Sequence, residues 1–149
     1  MKNIVVMALA VLVTGCSIKQ QIEPAQVNKQ SVLCIVENTD VRPGFVKEYQ
    51  AALSDKGVAW QMVDERSIPS SCQWTSTYEA RWSWDMAIYM SYANIKVFNQ
   101  GQLDGEAIYD SSRGGANMGK FIDAEEKVRE LVNELIQLKV SQLFSPRAV

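Results

Sequence analysis

The stretch Tyr78-Glu79-Ala80-Arg81-Trp82-Ser83-Trp84-Asp85-Met86-Ala87-Ile88-Tyr89-Met90-Ser91-Tyr92 decides the fold. Every even position in it is apolar, while Glu79, Arg81, Ser83 and Asp85 place polar groups at odd positions. Successive strand side chains point to opposite faces, so a period of two marks a sheet with one buried face. Its 15 residues exceed ordinary strand length, which predicts a break near Trp84 to Met86. Past Tyr92 the apolar phase moves to Ala93, Ile95 and Val97. A one-residue bulge near Tyr92 produces such a switch.

Working outward, Asn99-Gln100-Gly101-Gln102 reads as a tight hairpin turn and Leu103 to Tyr109 as the returning strand. Upstream, the β-branched run Ser31 to Asn38 predicts a buried strand. Pro43 suits the first turn of a helix whose apolar face is Val41, Phe45, Val46, Tyr49, Ala52 and Leu53, and Gly57 stops it. Val58 to Val63 reads as another strand, completing a β-α-β unit with a right-handed crossover if its strands are parallel. Residues 64–76 form a loop, and residues 110–119 a second one rich in glycine. Asp123-Ala124-Glu125-Glu126 caps a final helix that runs to about Leu143, with Ala124, Val128, Leu131, Val132, Leu135 and Leu138 on its inner stripe. The order β-α-β-β-β-α predicts an α+β class: one domain, a mixed sheet, and helices packed mainly on one face.

The chain opens on a different kind of signal. Lys2 precedes a ten-residue apolar run, Ile4 to Val13, which has secretory-leader proportions and is too short to span a bilayer as a helix. Leu12-Val13-Thr14-Gly15-Cys16 then resembles the lipobox of bacterial lipoproteins. The resemblance implies cleavage after Gly15 and acylation of Cys16, more than one acyl chain being needed for stable anchoring. Ser17, rather than aspartate, follows the cysteine, which by the same resemblance favours the outer membrane, periplasm-facing, over the inner. Residues 16–30 comprise the lipidated cysteine and, over 17–30, a polar stretch with scattered aliphatics that predicts a flexible tether to a domain spanning 31–149. Fully extended at about 3.3 Å per residue, that tether reaches roughly 45 Å.

Removing residues 1–15 deletes only Lys2 among charged groups and moves the net charge from −2 to −3. A weakly acidic chain argues against nucleic acid, which requires a basic face. There is no histidine, so the commonest general base and metal ligand is missing, and no cofactor is expected. Cys34 and Cys72 remain as an even pair in an oxidising compartment, which predicts a disulfide.

The run Tyr78 to Ala93, with Gly105-Glu106-Ala107-Ile108-Tyr109-Asp110 and Lys120-Phe121-Ile122-Asp123-Ala124-Glu125-Glu126-Lys127, resembles small proteobacterial lipoproteins of the Sbal type. That resemblance implies an envelope lipoprotein and no particular activity. The element order is similar, more loosely, to the amino-terminal domain of TolB and to lipoproteins of the curli-secretion and peptidoglycan-synthase-activator kind. This second likeness lies at the level of fold and implies no function.

Three constellations bear on chemistry. Gly114 to Lys120 fits the G-x-x-x-x-G-K opening of a phosphate loop, but Phe121 stands where a magnesium-binding hydroxyl belongs, and the stretch reads as a strand-to-helix connection. Asp85, Asp104, Glu106 and Asp110 are the carboxylates from which a glycosidase pair would be drawn, and no pair among them stands out. Arg81, Trp82, Trp84 and Tyr89 are the candidate partner surface, since exposed tryptophan beside arginine favours a protein or glycan contact. Together these features predict a non-catalytic binding or envelope-assembly module, tied to the membrane by lipid and meeting an envelope protein partner. The alternative is an envelope polysaccharide hydrolase or small-ligand carrier.

Overall fold

A computed structural model describes residues 17–140. Cys16, the stretch expected to be a leader before it and the expected helix end at Leu143 lie outside the described residues. Among the described residues the class is α+β: a six-stranded mixed sheet, a two-stranded sheet and two α-helices. In chain order the strands are β1 (Lys19–Glu23), β2 (Ala25–Asn28), β3 (Val32–Val36), β4 (Ala59–Val63), β5 (Trp74–Asp85), β6 (Ala87–Asn99), β7 (Gln102–Asp110) and β8 (Ile136–Lys139). The helices are α1 (Pro43–Asp55) and α2 (Ala124–Leu135). The large sheet runs β1-β7-β6-β5-β3-β4, and β2 pairs with β8.

The long alternating stretch is a hairpin. β5 and β6 run antiparallel, Trp84 opposite Ile88, with Met86 at the apex in the left-handed region at φ 62°. The switch of phase comes where Arg81 pairs with Tyr92 and Trp82 with Met90, leaving Ser91 as the extra residue. Ala80 and Met90 before it, and Ala93, Ile95 and Val97 after it, therefore all reach the main core. The next turn obeys ordinary chemistry, with Gln100 at φ 50° and Gly101 at φ 78°.

α1 begins at Pro43 and buries Phe45, Tyr49, Ala52 and Leu53. Gly57, at φ 75°, ends it, and Val58 N–H returns to Leu53 O at 3.0 Å. β3 and β4 are parallel neighbours, as the β-α-β reading requires. Asp123 caps α2 by accepting from Glu125 N–H at 2.7 Å, and Val128, Leu131, Val132 and Leu135 are fully buried. Arg129 of α2 clamps α1 through Glu48 at 2.8 Å and Asp55 at 2.7 Å. Cys34 and Cys72 form the disulfide, with Cα atoms 5.9 Å apart. It joins Val36 and Val63 in a second small cluster apart from the main core.

Two expectations are corrected. The stretch 16–30 is not a free tether over its described part, because residues 19–28 form β1 and β2. β1 is an edge strand on β7, and its row of Lys, Gln and Glu suits an edge that faces water. Ala25 and Val27 alternate into the main core, so the folded unit starts before Ser31. The last helix stops at Leu135, and Ile136 continues at once into β8. Leu135 and Leu138 fit a helical stripe, while Ile136 and Leu138 fit a strand. Pairing with β2 decides for the strand, and Ile136 is fully buried there.

Candidate interaction site

The sheet register shows what the β5–β6 hairpin does at its end. Arg81, Tyr92, Asp110 and Lys19 lie in one row across β5, β6, β7 and β1. β7 and β1 stop at that row, whereas the hairpin continues alone through residues 82–91. The loop 37–42 after β3, the loop 111–122 after β7 and the start of β1 surround its base. The four residues expected to form one partner surface are divided by this geometry. Trp82 and Trp84 share one face of the hairpin with Met90 and Ile88. Tyr89 is buried on the other face, its ring 5.5 Å from that of Phe121. Arg81 is exposed and lies over the ring of Tyr92 at 4.3 Å.

Two surfaces result. One is an open cleft of about 540 Å³ at the hairpin base, lined by Asp40, Arg42, Arg81, Trp82 and Tyr92 among others. Trp82 packs its edge against Phe45 beneath the cleft, and Arg42 lies 4.7 Å above the Trp82 ring. The two arginine–aromatic stacks hold planar, exposed cations in fixed positions at the rim of the cleft. The other surface is the hairpin tip. Trp84 is 74% exposed, Met86 88% and Ile88 61%, and Met118 from the neighbouring loop is 74% exposed.

Lys120 gives the glycine-rich loop its role. The side chain is buried, with its ammonium on the Asp85 carboxylate and the Gly115 carbonyl and near the rings of Tyr89 and Phe121. The lysine of the phosphate-loop-like motif therefore pins this loop to the hairpin. At the row behind it, Ser112 donates to Asp110 through both its hydroxyl and its N–H. The Ser112 hydroxyl, then its N–H and the nearby charges of Arg113 and Lys19, hold the Asp110 carboxyl below the usual carboxylate range.

No protein-family model matches the chain, and no curated protein matches it. Among solved structures it is similar to the PelC dodecamer from Paraburkholderia phytofirmans. The TM-score is 0.56 at 10% identity, covering 80% of this chain and 98% of that one. A second PelC dodecamer structure, carrying a single substitution, gives 0.56 at 8% identity over 80% and 99%. The likeness is one of fold.

The carboxylates are dispersed into structural tasks. Asp104 accepts from Gln26 N–H at 2.7 Å, Glu106 from Asn94 at 3.0 Å, and Asp85 and Asp110 are engaged as above. Among the described residues no group of three His, Cys, Asp or Glu is placed to hold a metal ion. Arg42 and Met118 are the contributors that sequence reasoning passed over. Arg42 sat unremarked beside a helix-opening proline, and Met118 inside a loop valued only for its glycines.

Proposed function

We propose that this chain is a membrane-anchored, periplasm-facing module without a catalytic centre of its own, which holds an envelope protein partner through the Arg42–Trp82 and Arg81–Tyr92 cleft. The observation that carries the reading is the pair of arginine–aromatic stacks around one open cleft. Arginine, tryptophan and tyrosine dominate the energetics of protein interfaces, and here they are already ordered, which lowers the entropy lost on docking. The lipobox at Cys16 supports the anchoring, and the dodecameric state of the PelC neighbours supports a place in an assembly.

The test is crosslinked co-purification from membranes, with Cys16→Ala and Arg81→Glu as comparisons. Cys16→Ala removes the acylation site and is expected to release the protein from the membrane fraction. Arg81→Glu, on an exposed side chain, is expected to leave the fold and the fractionation intact while losing the crosslinked partner. An unchanged crosslinking pattern in Arg81→Glu would refute the assigned surface.

A further inference from the structure

We infer that the tip of the β5–β6 hairpin, Trp84, Met86 and Ile88, inserts into the lipid bilayer beside the Cys16 anchor. The inference rests on the anchoring proposed above and deepens it by naming a second membrane contact.

Register places tip and anchor at one end of the molecule. Lys19 lies in the same row as Arg81, the last row before the hairpin projects alone. Neighbouring strands lie about 4.8 Å apart, so the start of β1 is roughly 10 Å from β6 and roughly 14 Å from β5, measured across the sheet. Cys16 is three residues before Lys19, hence within about 10 Å of that row by chain length. The hairpin advances four residues beyond the same row from Arg81 to Asp85, about 13 Å at strand rise. A bilayer holding acyl chains on Cys16 therefore lies within reach of the tip.

The chemistry of the tip fits an interface. Tryptophan settles at the headgroup boundary, and amphipathic elements bury their apolar face about 5–10 Å deep. Asp85 is the only charged residue between Ser83 and Tyr89, and Lys120 neutralises it. Its desolvation cost is thereby reduced. The cationic side chains Arg81 and Lys19 stay at the row behind, at headgroup level. The apex itself carries a further mark. Its left-handed φ of 62° suits glycine or asparagine, and methionine there costs about 1–2 kcal/mol. The other tight turn of this sheet fills its left-handed positions with Gln100 at φ 50° and Gly101 at φ 78°, a polar residue and a glycine rather than an apolar side chain. An almost fully exposed methionine at a strained apex returns nothing to the core, so its use lies outside the fold.

The experiment uses the acylated full-length mature protein in phosphatidylethanolamine–phosphatidylglycerol vesicles whose acyl chains are brominated near the headgroup. Trp84 is the one exposed tryptophan among the described residues; Trp74 is buried and Trp60 and Trp82 half-buried. Flotation with the vesicles together with quenched emission, most of that quenching lost in Trp84→Phe, is the expected result. Flotation with quenching absent, or unchanged by Trp84→Phe, overturns insertion and leaves the anchor standing; the tip then faces a protein or a second copy. Failure to float overturns the anchor and the insertion together.

Discussion

Gly105 offers the sharpest test of how the amino-terminal segment is built into the domain. A Cβ added there would stand 2.4 Å from the Ala25 nitrogen and 2.7 Å from its Cα and Cβ. Two of these atoms are backbone, so no rotamer change relieves the clash. Either β7 bends or β2 lifts by about an ångström, and overpacking of this kind costs roughly 1–3 kcal/mol. Lifting β2 also loosens Val27, fully buried on the same strand, whose complete burial is worth about 1.5–3 kcal/mol. It strains the 2.7 Å bond from Gln26 N–H to Asp104 and the β8 pairing as well. Gly105→Ala should therefore destabilise the protein by about 2–4 kcal/mol, read from urea unfolding followed by tryptophan fluorescence. At Gly44, in the first turn of α1, an added Cβ meets nothing within 4 Å. Gly44→Ala should raise stability by about 0.5–1 kcal/mol through helix propensity and the unfolded chain. A Gly105→Ala protein within about 0.5 kcal/mol of wild type, the range of neutral surface changes, would refute the packing of β2 over β7.

Other outcomes follow from the same interactions. Cys34 and Cys72 are separated by 38 residues, so Cys34→Ala/Cys72→Ala should lower stability by about 4 kcal/mol in the chain-entropy treatment, and reductant should reproduce the loss in the wild type. Lys120→Met keeps the apolar stem but leaves Asp85 and the Gly115 carbonyl without their cation. A loss of about 1.5–3 kcal/mol and faster proteolysis within residues 111–121 are expected, measured by thermal melting and limited digestion. Burial pushes the Tyr49 hydroxyl well above its ordinary value, although its bond to Ser76 at 2.6 Å opposes this. The unfolded chain therefore releases that proton first: the contribution to stability is intact below pH of about 10 and falls by about 1.4 kcal/mol per pH unit above it. Tyr49→Phe should flatten this alkaline slope in urea unfolding at graded pH, and an unchanged slope would remove Tyr49 as its source.

The period of two from Tyr78 to Tyr92, the phase switch after it and the glycine stops were legible because they are local chemistry. Backbone alternation and left-handed turns leave marks within a few residues. The disulfide was legible for a compartmental reason, two cysteines left over in a chain whose start reads as an export signal. What stayed hidden depends on partners distant in sequence. Lys19 to Glu23 looks like solvated linker because an edge strand needs no apolar face, and only β7, some ninety residues later, makes it a strand. Ile136 to Lys139 satisfies helix and strand periodicity alike, and β2 breaks the tie. For the candidate site, alternation identified Trp82 and Trp84 as sharing a face but not where that face leaves the core. Trp82 rests on Phe45, while Trp84, two residues on, lies past the end of the helix layer. Arg42 joins the cleft only because the loop after β3 folds beside β5.

Replacing the tether by β1 changes what the proposed anchor does. A 14-residue flexible linker would let the domain turn freely and present any surface to a partner. With β1 beginning at Lys19, only Ser17 and Ile18 separate it from Cys16. Ile18 is itself half-buried, packed against the main core. Acyl chains on Cys16, as proposed, would then fix which end of the domain meets the membrane, and that end carries both the exposed hairpin tip and the arginine–aromatic cleft at its base. A second contact at the tip would restrict rotation about the single lipid attachment and hold the cleft close to the bilayer at a constant orientation. Partners that are themselves confined to the membrane would meet it at raised effective concentration, without any increase in the intrinsic affinity of the cleft.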